Sequence, residues 1–407
     1  MSIEEKRILV GLLGKGMFVS RLDRDWVGTP FPFQGFYITS DEDLELLGLY
    51  CTSVFVDVQK GASGPDEPLL SMIRPNMPVF PPRHTEYRNT VPMADELPRA
   101  KEVRDDVHSF AERLRHDVRN GEKLSPADVQ EAMEPMVASL LRNVDAMFWM
   151  VGLMRRDSYA YSHAVKCSAL AAAFGRHLAL PRPVLVEMAT GGFLLDIGKA
   201  TLPPDVFDHP GELTAEARAT VRRHVAEGVR VLDEAGIRGE WIRGMVAHHH
   251  ERHDGSGYPE GLAGNRIPLA GRIGGVIDTY DALASKRPHS PGVARHEALQ
   301  ALYRASGRLY QVEVVEQFLQ CLGVYPTGSL VELSTGQVGI VIAQNQSRRL
   351  RPRVMLLLDE AKQPYTPYRD LDLMADGAAD DDPDAVQVVA ALEPGAYDLD
   401  PNDLYLA

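Results

Sequence analysis

The chain has 407 residues, of which 44% are apolar and 25% charged, with a formal net charge of −14. At roughly 150 residues per domain that length allows two or three domains, and the composition excludes collagen-like, coiled-coil and wholly disordered classes. The acidic balance argues against a DNA or RNA partner, whose binding rests on neutralising phosphates, while a few local cations can still make a cleft suited to a small anion.

No apolar stretch approaches the ~18 residues of a membrane span; the richest, DAMFWMVGLM, is interrupted by Asp145 and Gly152. The start, MSIEEKRILV, lacks the features of a secretory signal, and Cys51, Cys167 and Cys321 fit no ligand or disulfide framework. A cytoplasmic, reducing location and three core thiols are expected.

Residues 1–74 read as a small β-rich domain: RILVGLL, GMFVSRL, GFYI and TSVFVD alternate with Gly, Pro and Asp, and DEDLELLGL over 41–49 predicts one short helix. Residues 75–119 read as a proline-rich linker and a helix. From Ser125-Pro126, a cap followed by a first-turn proline, apolar residues recur at helical spacing through Val151, with Pro135 as the expected bend; this helix serves as core or as a dimer seam. Further helices are predicted at 161–179, 184–194, 214–235, 240–253, 268–285, 293–306 and 312–321, so 120–325 forms an all-α domain. Beyond Pro326, SLVELS, QVGIVIAQ and RVMLLLD predict a short β appendage, and DGAADDDPD over 376–384 a solvated acidic loop. The fold class is thus multidomain, a central helical bundle between a mostly β N-terminal domain and a β appendage with an acidic tail over 326–407.

Six potential ligands fall on five predicted helices or at their ends: His163, Asp196, His224, His249 with His250, and Asp278. Helical bundles build metal sites by aiming such residues inward, and mixed imidazole and carboxylate donors suit Fe, Mn, Zn or Ni better than Ca or Mg. The bland alternatives are a core histidine at 163 and capping histidines at a helix C-terminus for 249 and 250. An unpaired Asp196 in an apolar helix end would be costly, so a metal or Lys199 must compensate it. Asp281, three residues beyond Asp278, suits a hydrogen-bonding partner of a ligand.

The segment HHERHDGSGYPEGLAGNRIPLAGRI followed by GVIDTYDALASKRP resembles the HD-GYP family of metal-dependent cyclic di-GMP phosphodiesterases, within the HD superfamily. YAYSHAVKCSALAAAFGRHLAL and LLDIGKATLP resemble its two upstream blocks, so about 150–325 is covered. The N-terminal segment resembles a domain of unknown function common ahead of such domains, and YPTGSLVELSTGQVGIVI their C-terminal extension. The resemblance implies a first metal held by His163, Asp196 and Asp278, and a second held by His224, His249 and His250 that shares Asp196. It implies that Lys199 and Arg287 contact phosphate and that Gly257, Tyr258 and Pro259 form a turn bearing on substrate or protein-partner recognition. Two neighbouring cations would activate water and neutralise phosphodiester oxygens, with Asp196 bridging or orienting.

One departure bears on the chemistry: the family's His-Asp dyad reads Leu195-Asp196 here, and leucine donates no lone pair. The first metal keeps a thin shell and the second a full one, so a mononuclear site, or a dinuclear one with a weak member, is expected. Neither His177 nor His248 stands at a position that could replace the lost ligand. Ser290 stands where many members have Lys, and Tyr159 where three-metal members have Glu. The implied activity is hydrolysis of cyclic di-GMP to linear pGpG and on to GMP, with one or two divalent ions as cofactor. The rival reading is a catalytically impaired cyclic di-GMP receptor or protein-interaction module.

Overall fold

The computed structural model describes residues 5–10, 13–24, 29, 31, 36–38, 40–51, 53–57, 79–81, 85–152, 159–206, 214–285, 292–345, 350–374, 385–393 and 395–399. Arg287, Ser290 and the acidic loop 376–384 lie outside them. Two compact units form, Met1–Val79 and Phe80–Ala407.

In the first unit, β1 (Glu5–Leu9), β2 (Phe18–Leu22), β3 (Phe36–Tyr37) and β4 (Ser53–Asp57) make an antiparallel sheet in the order β1-β4-β2-β3. α1 (Asp41–Tyr50) starts at Ser40, whose hydroxyl accepts from the Asp43 amide while the Asp43 carboxylate accepts from the Ser40 amide, a reciprocal cap that fixes the helix start. Leu47 from α1 and Val19, Val54 and Val56 from the sheet close the core.

The second unit is a helical body followed by a sheet. α2 (Met93–Arg119) and α3 (Pro126–Arg142) are tied by Glu96, buried between them, which accepts from Arg142 Nε at 2.7 Å and from Ser139 Oγ at 2.6 Å. Burial opposes ionisation of Glu96, yet Arg142 and Ser139 outweigh it and its carboxyl sits below the usual range. The apolar run that predicts one helix to Val151 is broken at Asn143, with Pro135 inside the first of the two helices. The Asn143 backbone is extended, and its side chain accepts the Ala146 amide and donates to Val91, which caps α4 (Val144–Gly152). α5 (Tyr159–His177), α6 (Arg182–Leu194), α7 (Ala215–Arg222), α8 (His224–Ala235), α9 (Glu240–His248), α10 (Leu269–Ala284), α11 (Arg295–Ala305) and α12 (Val312–Leu322) complete the body. Two predicted helices are shorter than their periodicity: 214–235 splits at Arg223, and 240–253 stops at His248, where the chain turns.

The C-terminal strands β5 (Leu330–Leu333), β6 (Val338–Ala343), β7 (Arg353–Leu358), β8 (Pro364–Asp372) and β9 (Val388–Leu392) pair in the order β8-β7-β6-β5-β9. β8 and β9, with mostly polar or small residues, carry no strong alternation and extend the three predicted strands to five. Leu330, Ile340 and Met355 join the helical core, so the sheet packs on the bundle. Asp145 fastens this junction: it takes bonds from Asn89 Nδ2, Thr327 Oγ1 and the Gln344 amide, and burial pushes its carboxyl pKa up. No helix among the described residues is long and apolar enough to cross a membrane.

Candidate metal centre

Five elements deliver the ligand candidates. His163 lies in the first turns of α5, and Asp196 follows the end of α6, in the non-helical residue before a 3-10 turn over Ile197–Thr201. His224 opens α8, His249 and His250 follow α9, and Asp278 sits mid-way along α10. Gly198 decides how closely the Asp196 turn approaches α8. A Cβ there would lie 2.0 Å from the His224 carbonyl oxygen and 2.4 Å from the Gly228 amide, so only glycine lets the two backbones meet.

The result is two donor groups that share one carboxylate. One atom each of Asp196, His224, His249 and His250 lie within 4.8 Å of one another, and so do one each of His163, Asp196 and Asp278. Asp196 Oδ1 is 3.4 Å from His224 Nε2 and 3.8 Å from His249 Nε2, and the two Nε2 atoms are 3.3 Å apart. Tetrahedral donors at about 2.1 Å from a metal stand about 3.4 Å from each other, which matches these edges.

The protonation pattern of this group fits a cation. His224 Nδ1 donates to the Val221 carbonyl at 2.6 Å, and His249 Nδ1 to the Met245 and Val246 carbonyls at 3.1 Å. Those bonds fix the tautomer and leave both Nε2 lone pairs facing each other, a repulsive arrangement unless a proton or a metal lies between. Protons are disfavoured: burial lowers the pKa of His224, that of His249 to about 4 and that of His250 to about 2. Asp196 Oδ1, facing the same point, is buried with no hydrogen-bond partner. An orphaned carboxylate oxygen beside converging imidazole lone pairs is the donor set a divalent transition metal requires.

Around the second group, His163 Nδ1 is 2.7 Å from Asp281 Oδ2, so Asp281 orients the ring and turns Nε2 toward Asp278 Oδ1 at 3.3 Å and Asp196 Oδ2 at 3.6 Å. Ser285 Oγ donates to the other Asp281 oxygen at 2.9 Å. Burial disfavours the Asp278 anion, but His163, His250 and their neighbours outweigh it and its pKa falls below the usual range. Burial likewise opposes the Asp196 anion, and Lys199, with Nζ 2.5 Å from Oδ2, heads the charges that hold its carboxyl well below that range. Leu195, where the dyad's histidine would stand, is 1% exposed. Its Cδ2 packs against Gly274, one turn before Asp278 on the same face of α10.

The site opens to solvent on its carboxylate side. The side chains of Asp196, Asp278 and Lys199 are 15%, 13% and 25% exposed, whereas His224 and His249 are sealed. The Gly257-Tyr258-Pro259 turn flanks the histidines: the Tyr258 ring stacks on His250 at 4.6 Å, its amide donates to the His250 carbonyl, and the Arg222 guanidinium lies 4.8 Å from the centre of the Tyr258 ring. Glu251 fixes this turn by accepting the Glu260 and Leu262 amides at 2.8 and 3.0 Å. A Cβ on Gly257 would meet the Arg252 amide nitrogen at 2.4 Å, so the turn folds back on the chain only with glycine there.

All six ligand candidates and Lys199 therefore converge, and the turn adjoins them; His177 and His248 are absent from both donor groups. Sequence reasoning missed Arg115 on α2, a half-buried guanidinium on which Asp196 acts as the strongest nearby charge. No motif signals it, because α2 precedes every block that carries the ligands.

A helical body with histidines and aspartates converging in its interior defines an HD-type domain, and residues 146–314 match the HD domain family. Residues 5–129 match a domain of unknown function (DUF3391), and 330–378 a KOW domain associated with HD domain. The chain is similar to a cyclic di-GMP phosphodiesterase of Pseudomonas aeruginosa, 33% identical over 92% of this chain and 90% of that protein. It is also similar to a cyclic di-GMP phosphodiesterase of Thermotoga maritima, 34% identical over 40% of this chain and 45% of that one. A third relative is a 3'3'-cGAMP-specific phosphodiesterase of Vibrio cholerae, 31% identical over 47% and 35%. The chain belongs to the HD-GYP family of phosphodiesterases.

Proposed function

We propose that the protein hydrolyses cyclic di-GMP to linear pGpG, and on to GMP, at a metal site weakened by Leu195. The observation that carries this is the unpartnered Asp196 Oδ1 facing two neutral imidazole nitrogens, next to carboxylates that reach solvent. When bound, a divalent Fe, Mn, Zn or Ni ion supplies Lewis acidity toward a phosphodiester oxygen and an acidified water. His224, His249, His250 and Asp196 form the complete ligand set, while His163, Asp278 and the shared Asp196 form the thin one. In the reaction a water oxygen bonds to phosphorus, the bond from phosphorus to O3′ breaks, and O3′ takes up a proton, which leaves a 5′-phosphate. The buried carbonyl partners of His224 and His249 keep their Nε2 atoms unprotonated throughout. Asp196 orients the reacting centre, and Lys199, which neutralises Asp196 yet stands at the mouth, steadies the phosphate together with Arg287. Tyr258, with Gly257 and Pro259 shaping its turn, offers an aromatic face to a guanine or to a protein partner.

Our reading gives residues 1–74 to a regulatory or docking module, 75–119 to a linker and helix, 120–325 to the catalytic body and 326–407 to the β appendage, in a cytoplasmic protein that pairs as a homodimer. A receptor without turnover is the second reading, favoured by the fully packed Leu195. Metal-loaded protein incubated with cyclic di-GMP and followed by chromatography separates the two: pGpG release that disappears in His250→Ala along with the metal supports hydrolysis. Binding without product refutes it.

A further inference from the structure

We infer that Arg115, on the long helix α2 and within the segment matched by the domain of unknown function, is a substrate-binding residue that takes a phosphate of the dinucleotide at the metal site. This rests on the reading of the site as a cyclic-dinucleotide phosphodiesterase and adds a residue to it.

α2 is placed beside the site by its aromatic contacts. Phe110 stacks on Phe193 at 5.6 Å, three residues before Asp196, and His108 meets the ring of Tyr161 edge-on at 6.0 Å, two residues before His163. Arg115 is two turns beyond His108 on the same face, next to buried Leu114. Its side chain therefore extends where the start of α5 and the Asp196 turn converge, and the anionic group that acts on it most strongly is Asp196.

The guanidinium makes no hydrogen bond or ion pair among the described residues, although arginine has five donors and this one is half-buried. Partial burial lowers the Arg115 pKa from the ordinary arginine value, while its donors keep contact with solvent and stay open to a ligand. Asp196 does not engage these donors. Its Oδ2 is already taken by Lys199 at 2.5 Å, and its Oδ1 faces the imidazoles. Loading the donor set with a divalent cation offsets the Asp196 charge near Arg115 and leaves its donors free for an external oxyanion. A planar fork meets two phosphate oxygens at once, which a lysine cannot do.

The test uses the full-length, metal-loaded protein as wild type, Arg115→Ala and Arg115→Lys. Calorimetry measures the affinity for cyclic di-GMP and, separately, for inorganic phosphate, with metal content read on the same samples. Arg115→Ala should weaken both ligands about 10- to 100-fold, the worth of a lost charge-assisted contact, at unchanged metal content. Arg115→Lys, which keeps the stem and the charge, should fall between. Wild-type affinities in Arg115→Ala overturn the proposal. So does an alanine variant that loses metal while Arg115→Lys binds phosphate like wild type, because the role is then structural. A wild type that binds phosphate but not cyclic di-GMP overturns the proposed function alone, and the phosphate arm still decides Arg115.

Discussion

Replacing Leu195 with histidine restores the ligand that the dyad lacks, and its cost and gain can be worked separately. Leu195 is 1% exposed and packs against the α10 face that carries Asp278, where a Cβ on Gly274 would lie 3.5 Å from Leu195 Cδ2 and 3.3 Å from His249 Cβ. The side chain thus lies beside Gly274, the residue that also abuts His249 and stands one turn before Asp278. In metal-free protein the substitution gives up about 2 kcal/mol of leucine burial, partly regained by the ring, and buries an imidazole nitrogen without a partner at about 1–3 kcal/mol. A loss of about 2–4 kcal/mol lowers the melting temperature of the helical body by roughly 5–10 °C. Metal present at about 100 times its dissociation constant returns about 2.7 kcal/mol. Leu195→His should therefore be clearly less stable than wild type in chelator and close to it in saturating Mn. Its tightly held metal should rise from near one ion per chain toward two, with faster release of pGpG. Thermal scans with and without metal, paired with elemental analysis, read all of this. A variant destabilised equally in both conditions with unchanged metal content would refute the idea that residue 195 faces the metal, as would a wild type already holding two tight ions.

Acid should destabilise the metal-free protein through the buried histidines. The folded pKa of His249 is about 4 against 6.5 in the unfolded chain, so between those values the unfolded state binds protons that the folded state refuses. Stability then rises with pH across that window and is lost as pH falls through it, by about 3 kcal/mol for His249 alone. Urea unfolding in chelator at pH 7.5 and pH 5 checks this, and equal or greater stability at pH 5 contradicts it. Gly198→Ala should cost more than about 3 kcal/mol and abolish metal binding, because its Cβ collides with the His224 carbonyl and drives the Asp196 turn away; retained metal would show that the turn has room to adjust. Glu251→Gln weakens two charge-assisted bonds to the turn after Tyr258, worth about 2–3 kcal/mol together. Amide exchange over 255–262 should speed up while metal content holds, and unchanged exchange would remove Glu251 as the anchor of that turn.

The ligands were legible in the sequence because their chemistry is local. Histidine pairs and lone aspartates in otherwise apolar helical segments need a reason to be buried, and the HD-GYP segment supplies one. Asp281 was legible too, since one helical turn beyond Asp278 suits a residue that orients a ligand, and it does orient His163. What periodicity obscured was where helices stop. Apolar spacing runs on past Asn143, Arg223 and His248, but Asn143 caps the next helix with its own side chain, and His249 and His250 must leave the axis of α9 for their rings to meet His224. β8 was hidden because its side chains alternate little in burial. Arg115 had no local signal at all: the packing of Phe110 on Phe193 brings α2 to the chain before Asp196, so that the Asp196 charge acts on Arg115, a non-local fact.

Charge joins these findings to a chain that is strongly acidic overall. At the site, the carboxylates of Asp196, Asp278 and Asp281 outnumber the cations, Lys199 and at most His163, while His224, His249 and His250 stay neutral, and the net negative local charge repels a cyclic dinucleotide with its two phosphates. One divalent ion offsets that excess, and a second ion or Arg115 takes the sign positive. At physiological salt, charges beyond about 8 Å are screened, so the distant acidic surface does not undo this local reversal. Metal therefore controls the affinity for an anionic ligand as well as any chemistry. Chelated protein should bind cyclic di-GMP at least tenfold more weakly than loaded protein, in wild type and in Leu195→His alike. Equal affinity in chelator and in metal would mean that the ligand is held elsewhere than on the faces of Asp196, Lys199 and Arg115.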